Sequence, residues 1–286
     1  MANSEVPLLR QLSANSDPYR DPLAALDWPS LSLEHYWLPP EALSLYGLAE
    51  FDALSETAKI RLSQYEMLAH AQAGIALERI FLELTASRLG DAQERAEYAY
   101  LLHEMREEAG HSLMFLKLGA ASGLTLPDWR AGLPRIAGRV SRALRSGPVY
   151  WGMLVIGEDI PDKLNRFVRR QACAQLSPFI RQLMTLHTVN ESRHIAYARQ
   201  RLAAAMAHRR GLAVRLYGAM LDRLFNRFVR AYFWPRAELY QSAGLGDGWA
   251  WRRLALGSAA RREFVLRLVA PVMRLLGNHG LRLKLR

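Results

Sequence analysis

The sequence contains almost no cysteine: Cys173 is the only one among 286 residues. A single thiol excludes an internal disulfide and every zinc site built from several cysteines. The N-terminus also lacks the basic start and following apolar stretch of a secretory signal. These two absences together predict a protein of a reducing compartment, the cytoplasm.

Long apolar segments are missing as well. No run approaches the roughly 18 uncharged apolar residues that indicate a membrane span, so we expect none. Half of the residues are nevertheless hydrophobic, which excludes a chain that is disordered as a whole. A chain of this length can bury one large core, and we predict a single domain over residues 1–286.

Acidic residues are scarce near the end of the chain. Residues 1–200 contain 21 Lys and Arg against 23 Asp and Glu, whereas residues 201–286 contain 17 against 4. Such asymmetry can mark contact with nucleic acid or a membrane, but it is also typical of the solvated faces of Arg-rich helices. We expect no nucleic-acid partner, while a basic helical protein that binds a polyanion stays open as an alternative.

Signals for β-strands are missing too, because no segment shows sustained alternation of apolar and polar residues. Helical periodicity and capping residues instead predict four long helices, two later ones and a crossover. The long helices cover about 55–89, 91–121, 150–175 and 177–208, the crossover 125–148, and the later helices 211–236 and 249–276. Pro161 is expected to kink the third long helix. The predicted fold class is therefore all-α, with a four-helix bundle at its core.

The bundle is predicted to lie between two flanking regions. Residues 1–54 contain many of the prolines and are expected to form an irregular arm with short helical pieces on the core. Residues 55–208 form the bundle, and residues 209–286 add basic helices to it.

Two of the long helices carry the same short pattern, Glu-x-x-His. It occurs as Glu108-Ala-Gly-His111 and as Glu191-Ser-Arg-His194. Residues three positions apart lie on one helix face, so this Glu and His can bind the same metal ion. His187 shares the face of the second pattern, which is otherwise apolar. Burying these groups without a partner would be costly, and a metal ion removes that cost.

In a four-helix bundle with such patterns, each of the other two helices supplies one more carboxylate. On the first helix we choose Glu78, because its neighbours on the same face are small or apolar. Among them is Gly74, which leaves room for a close helix approach or for access to the site. Glu83 is one turn from Arg79 and suits a solvent-facing position. On the third helix Glu158 follows an apolar stretch and is the preferred carboxylate.

Several other acids compete for roles near these positions. Glu107 stays open as an alternative ligand, and Glu104 as an outer carboxylate. Asp159 and Asp162 are candidates to orient a ligating imidazole through its second nitrogen. The predicted metal ligands are Glu78, Glu108, His111, Glu158, His187, Glu191 and His194.

The order of these ligands resembles that of the ferritin-like non-haem diiron oxygenases. The added His187 makes residues 70–200 similar to the p-aminobenzoate N-oxygenase (AurF-like) family, which includes the arylamine oxygenase of chloramphenicol biosynthesis. The resemblance implies two iron ions, O2 as co-substrate and an external electron donor. It also implies oxidation of an amine to a hydroxylamine, nitroso or nitro product, usually within natural-product biosynthesis.

Carried over by position, the resemblance implies a distribution of ligands between the two irons. One iron would be held by Glu78, Glu108 and His111. The other would be held by Glu158, Glu191 and His194, with His187 as an added nitrogen ligand. Glu108 and Glu191 would bridge the two ions.

The partners implied are a small-molecule or carrier-bound amine and an electron-donor protein or reductant, and a homodimer is compatible with the sequence. The residues leave open whether the metals are Fe/Fe or Mn/Fe. They also leave open a diiron oxidase that hydroxylates, desaturates or cleaves C–H or C–C bonds.

Overall fold

The computed structural model of the chain describes residues 6–127 and 147–286. Within these ranges the chain is helical and contains no β-strand, apart from an isolated bridge between Tyr36 and Leu176. The all-α prediction is therefore confirmed. The crossover predicted at 125–148 falls for the most part outside the described residues.

The α-helices are α1 Val6–Ser16, α2 Pro22–Ala25, α3 Ala49–Asp52, α4 Glu56–Leu89, α5 Arg95–Ser122, α6 Pro148–Arg170, α7 Pro178–Met206, α8 Gly211–Phe233, α9 Ala237–Ser242, α10 Gly248–Gly257 and α11 Ala259–Asn278.

Two of the four long helices begin at a capping serine, and one ends at a glycine in the left-handed conformation. The Ser55 side chain accepts a hydrogen bond from the Ala58 N–H, and the Ser177 side chain accepts one from the Ile180 N–H. These bonds satisfy amide groups that the first helical turn leaves without a partner. α5 ends at Gly123, whose φ of 65° is the left-handed conformation that glycine adopts easily.

The bundle consists of two helical pairs that face each other. α4 packs along α5, α6 packs along α7, and α5 also contacts α7. α6 continues as a helix on both sides of Pro161. α8 and α11 pack against α6, so the third long helix is covered by the C-terminal region.

The N-terminal arm lies on the bundle, and aromatic residues within it are buried there. α1 and α2 both contact α5. Trp37 is fully buried, its backbone N–H donates to Ser63 Oγ at 3.0 Å, and its indole N–H donates to the Ser32 carbonyl at 3.0 Å. The bond to Ser63 connects the arm to the N-terminal half of α4, which precedes the predicted ligand Glu78.

The C-terminal region differs from the prediction in two respects. A short helix, α9, lies between the two predicted helices. The single helix expected over 249–276 is two helices, because Ser258 adopts an extended conformation between α10 and α11. The Ser258 side chain accepts a hydrogen bond from the Arg261 N–H at 3.1 Å and so begins a new helix. None of the described helices is both long enough and apolar enough to cross a membrane.

Gly74 controls how closely α4 approaches α5. The ring of Phe115 lies against it, and a Cβ built on Gly74 would be 2.7 Å from Phe115 Cε2. This contact is closer than carbon atoms tolerate, and the ring is itself buried. The close approach that the sequence suggested at Gly74 is therefore present.

We expect Gly74→Ala to lower the free energy of unfolding by about 1–3 kcal/mol, because the added methyl overpacks a filled interface. Urea denaturation of both proteins measures the change. Gly119→Ala on α5 is the matched control: nothing lies within 4 Å of its added Cβ, so alanine should stabilise that helix by up to about 1 kcal/mol. Equal effects at the two positions would contradict the packing argument.

Candidate metal centre

Four helices direct ionisable side chains into one buried region at the centre of the bundle. All seven residues predicted as metal ligands lie there, and each is buried. α4 contributes one of them, α5 two, α6 one and α7 three. Their ligating atoms form two groups, and within each group the atoms lie within 4.8 Å of one another. The groups are Glu78, His111, His187 and Glu191, and Glu108, Glu158, Glu191 and His194.

Glu108 and Glu191 each face both imidazoles of the Glu-x-x-His patterns. Glu108 Oε2 lies 3.3 Å from His111 Nδ1, while its Oε1 lies 3.0 Å from His194 Nδ1. Glu191 Oε1 lies 3.1 Å from His111 Nδ1, and its Oε2 lies 3.5 Å from His194 Nδ1. Each carboxylate thus turns one oxygen to each side of the centre, which is the geometry that a bridging ligand needs.

His187 lies on the side of the centre opposite to the one that the family resemblance implied. Its Nε2 is 3.1 Å from Glu191 Oε1 and 3.5 Å from Glu78 Oε1. Its ring also meets the His111 ring edge-on, with centroids 4.4 Å apart. His187 therefore groups with Glu78 and His111, not with Glu158 and His194. His187 comes one turn before Glu191 on α7, whereas His194 comes one turn after it. The two imidazoles therefore reach opposite sides of Glu191, and His187 reaches the side of Glu78.

The outward-facing nitrogen of each imidazole has a polar partner. His194 Nε2 donates to Glu107 Oε2 at 3.0 Å. His187 Nδ1 lies 2.8 Å from the side-chain amide of Asn165, and His111 Nε2 lies 3.2 Å from that of Asn190. All three contacts orient the rings, and the one in which His194 Nε2 donates to a carboxylate also leaves Nδ1 of that ring free for a metal.

Asp159 and Asp162, which the sequence suggested for this orienting role, do not perform it. Asp159 is paired with Lys163 and Arg199. Asp162 accepts a hydrogen bond from Arg166 at 2.6 Å. Both carboxylates are instead neutralised by these nearby cations.

Glu107 takes the orienting role instead of serving as an alternative ligand. It also accepts a hydrogen bond from Arg193 at 2.7 Å, and the hydrogen bond from His194 helps to hold its pKa below the ordinary value despite burial. Glu104 lies further out and accepts a hydrogen bond from Thr85 at 3.2 Å. Burial raises the pKa of Glu104 to about 7.

The ligand groups titrate far from their ordinary ranges. Burial raises the pKa of Glu78 and of Glu158 well above the usual value, and the charges of neighbouring carboxylates add to this. Burial also opposes ionisation of Glu191, but His187 and the other nearby imidazoles lower its pKa well below normal. Burial lowers the pKa of His187 to about 4, whereas the carboxylates of Glu108 and Glu191 raise that of His111 to about 9 against the effect of burial.

Many polar atoms at the centre make no hydrogen bond. Buried polar atoms in proteins nearly always have a partner, so a cluster of orphans indicates a missing group. A cation at each of the two groups would coordinate them, and the mixture of carboxylates and imidazoles suits iron or manganese. The unpartnered atoms are Glu78 Oε2, Glu108 Oε1, His187 Nε2, both Glu191 oxygens and His194 Nδ1.

A small cavity of about 30 Å³ reaches the centre from the side of α4 and α6. Its polar end is formed by the carboxylates of Glu78 and Glu158, and its remaining wall is mainly apolar, with Met67, Phe81 and Phe115 among its residues. A small apolar group with one polar atom directed at the carboxylates would fit this lining.

His70 and Tyr232 also line the cavity, and neither was singled out from the sequence. Their rings lie 4.5 Å apart. His70 is buried, its Nδ1 has no hydrogen-bond partner, and burial followed by the charge of Arg261 lowers its pKa to about 3. The cavity therefore contains a neutral imidazole. Sequence periodicity could have found His70, because it is eight residues before Glu78, but Tyr232 comes from a helix outside the bundle.

A family model described as P-aminobenzoate N-oxygenase AurF matches residues 3–280. The protein MT0908 of Mycobacterium tuberculosis (strain CDC 1551 / Oshkosh) is 26% identical over 285 residues, covering 93% of this chain and 79% of the relative. The protein Rv0885 of Mycobacterium tuberculosis (strain ATCC 25618 / H37Rv) is 28% identical over 200 residues, covering 66% of this chain and 56% of the relative.

Two solved structures have the same helical arrangement over almost their whole length. An R2-like ligand-binding oxidase variant with an anaerobically reconstituted Mn/Fe cofactor has a TM-score of 0.57 and 15% identity, covering 96% of this chain and 93% of that one. The oxidase without metal cofactor has a TM-score of 0.54 and 16% identity, covering 94% and 95%. These likenesses confirm the predicted ferritin-like bundle.

The neutral state of His70 predicts that acid destabilises the metal-free protein. The folded pKa of about 3 lies below the ordinary 6.5, so between these pH values the unfolded chain binds the additional proton and stability falls as the pH falls. At pH 5 the loss due to His70 amounts to about 2 kcal/mol relative to neutral pH. His70→Gln should remove that part of the pH dependence in urea denaturation at pH 7 and pH 5. Parallel pH profiles of the two proteins would contradict the neutral assignment.

Proposed function

Since the chain belongs to the p-aminobenzoate N-oxygenase AurF family, we propose that it is a non-haem diiron N-oxygenase. It uses O2 and electrons from an external donor to oxidise an amine to a hydroxylamine, nitroso or nitro product, within natural-product biosynthesis. The observation that carries this proposal is the pair of buried ligand groups with unpartnered atoms at the end of a small apolar cavity.

In this proposal both metal ions are iron, and the ligand groups define their sites. Glu78, His111 and His187 would hold the first ion, and Glu158 and His194 would hold the second. Glu108 and Glu191, whose oxygens face imidazoles on both sides, would contribute to both. When bound, the iron pair supplies the oxygen activation and electron transfer that no amino-acid side chain can provide.

The charge of the ligands supports two divalent ions. Four carboxylates in a buried region would carry four negative charges, while the three imidazoles are neutral when they bind metal. Two divalent cations balance this charge, whereas a single cation would leave two negative charges buried without compensation, at a high cost. The pKa values of Glu78 and Glu158 are raised for the same reason: without metal, a proton on each carboxyl group reduces the buried negative charge.

The protein supplies orientation and a dry environment. Glu107 holds His194 through the hydrogen bond to Nε2, and the amides of Asn165 and Asn190 hold the other two imidazoles. Phe81 and Phe115 line the cavity and exclude water from the approach to the carboxylates. An amine that enters here meets Glu78 and Glu158 first, while neutral His70 and Tyr232 can hydrogen-bond to another part of the molecule.

The third imidazole favours an oxygenase of this family over a plain ferritin-type or reductase-type site. A more nitrogen-rich ligand set changes the electron density at the metal and therefore its reactivity. The substrate in this proposal is a small-molecule or carrier-bound amine, and the donor is a protein or a chemical reductant.

We expect the wild-type chain to bind two iron ions and Glu191→Ala to lose both, because Glu191 belongs to both ligand groups. Anaerobic loading with Fe(II), desalting and elemental analysis give the stoichiometry. Glu83→Ala is the matched control on the same helix as Glu78, since the Glu83 side chain is 46% exposed and pairs only with Arg79 among the ionic contacts of the described residues. That variant should keep both irons. A Glu191→Ala protein that also keeps both would refute the ligand assignment.

The reaction itself is tested with the iron-loaded protein, a chemical reductant and a panel of aryl and alkyl amines that includes p-aminobenzoate. We expect O2 consumption that depends on the amine and, by mass spectrometry, a product with oxygen on nitrogen. The Glu191→Ala protein should give neither. Products oxidised only at carbon would replace the N-oxygenase proposal by the oxidase alternative without affecting the metal assignment.

A further inference from the structure

The outward face of α8 exposes aliphatic side chains. Leu212 is 69% exposed, Leu216 55% and Met220 41%. The spacing of four residues places them on one face of the helix. The opposite face, with Leu221 and Phe225, is buried in the core, so the exposed residues are not part of the packing that holds α8 on the bundle.

The same face becomes basic toward its C-terminal end. Arg223, Arg227 and Arg230 are exposed there, and Arg215 borders the aliphatic part. The only acid in α8 is Asp222, which is buried and paired with Arg286 at 2.5 Å. The exposed face of this helix therefore carries positive charge and no negative charge.

The C-terminal tail, residues 279–286, adds further cations along one edge of this face. The Lys284 N–H donates to Asp222 Oδ1 at 2.8 Å, and the Arg286 N–H donates to Asn226 Oδ1 at 2.9 Å. These bonds fix the tail against α8, and its exposed Arg282 and Lys284 extend the basic surface. The charge excess seen in the sequence is thus concentrated on one side of α8 by tertiary contacts.

We propose that this surface, formed by the outward face of α8 and the tail, docks on an anionic lipid bilayer. Leu212, Leu216 and Met220 would enter the interfacial layer while the flanking arginines contact lipid phosphates. An amphipathic helix with basic residues binds membranes through this combination of apolar burial and charge attraction.

The composition of the surface favours lipid over the two other classes of polyanion. Nucleic acid would engage the arginines but leave the three aliphatic side chains in water. Protein interfaces combine arginine and methionine with buried aromatic anchors, and the exposed positions of α8 contain no aromatic residue. A bilayer can bury the aliphatic side chains in its interfacial layer and can bind the arginines with its phosphates.

Docking would also bring the cavity close to the membrane. Tyr232, which lines the cavity, is on the opposite side of the same helix. The cavity would then be separated from the lipid by about the diameter of one helix, ~10 Å. A substrate or product that partitions into lipid would have a short path to the centre, although the docking inference does not depend on that reaction.

Vesicle flotation of the purified full chain tests the proposal. We expect binding to vesicles of equal parts phosphatidylcholine and phosphatidylglycerol at low salt, and little binding to phosphatidylcholine alone. Raising the salt to about 0.5 M should weaken binding, since the screening length falls to a few ångströms. No binding to the anionic vesicles at low salt would overturn the proposal.

Two triple variants separate the apolar and charged contributions. Leu212→Gln/Leu216→Gln/Met220→Gln keeps the charge, and Arg215→Glu/Arg223→Glu/Arg227→Glu keeps the aliphatic residues. Each should reduce vesicle binding by at least about tenfold. The matched control, with the same change of net charge on exposed residues of the N-terminal half, is Arg10→Glu/Arg20→Glu/Arg95→Glu.

The control should bind vesicles like the wild type, and all variants should keep the wild-type circular dichroism and iron content. Equal losses in the control and in the α8 charge variant would overturn the proposal, because binding would then reflect net charge alone. Vesicle binding at the wild-type level by the Leu212→Gln/Leu216→Gln/Met220→Gln protein would also overturn the proposal. Retention on a DNA duplex that is stronger than on anionic vesicles would assign the surface to nucleic acid instead.

Discussion

The need to bury four carboxylates and three imidazoles together governs the whole structure. These groups lie at the centre of the bundle, where like charges repel and water is excluded. Without a cation, burial raises the pKa of Glu78 and of Glu158 well above the ordinary range, while the neighbouring imidazoles hold that of Glu191 below it. Such a core is stable only with compensating charge, which is the physical reason for assigning it a dinuclear metal centre.

The rest of the bundle supplies rigidity for this centre. Long helices hold the ligands, and close contacts such as Gly74 against Phe115 set the distance between helices. Hydrogen bonds behind the imidazoles then fix the rings. The strongest of them joins His194 to Glu107, whose charge is in turn stabilised by Arg193. Support of this kind is what keeps an open metal site from rearranging when a ligand enters.

The sequence predicts those features that depend on one helix at a time. Spacings of three and four residues define the faces of α5 and α7, and apolar neighbours single out Glu78 on α4. The features that it could not predict depend on contacts between helices. Glu107 reaches His194 only because α5 packs on α7, and the side of the centre on which His187 lies depends on the same packing. The break at Ser258 is local, but helical periodicity continues on both sides and hides it.

Cation pairing separates three buried acids near the centre from the acids proposed as ligands. Asp159, Asp162 and Glu107 are buried next to the ligand groups, yet each contacts a Lys or Arg. None of the four carboxylates at the centre has such a partner among the described residues, although they are equally buried. A buried acid without a cation is costly unless a proton or a metal neutralises it. Sequence periodicity cannot distinguish Glu107 from Glu108, which are adjacent on one helix, but the location of Arg193 does, and it makes Glu107 the supporting residue and Glu108 the proposed ligand.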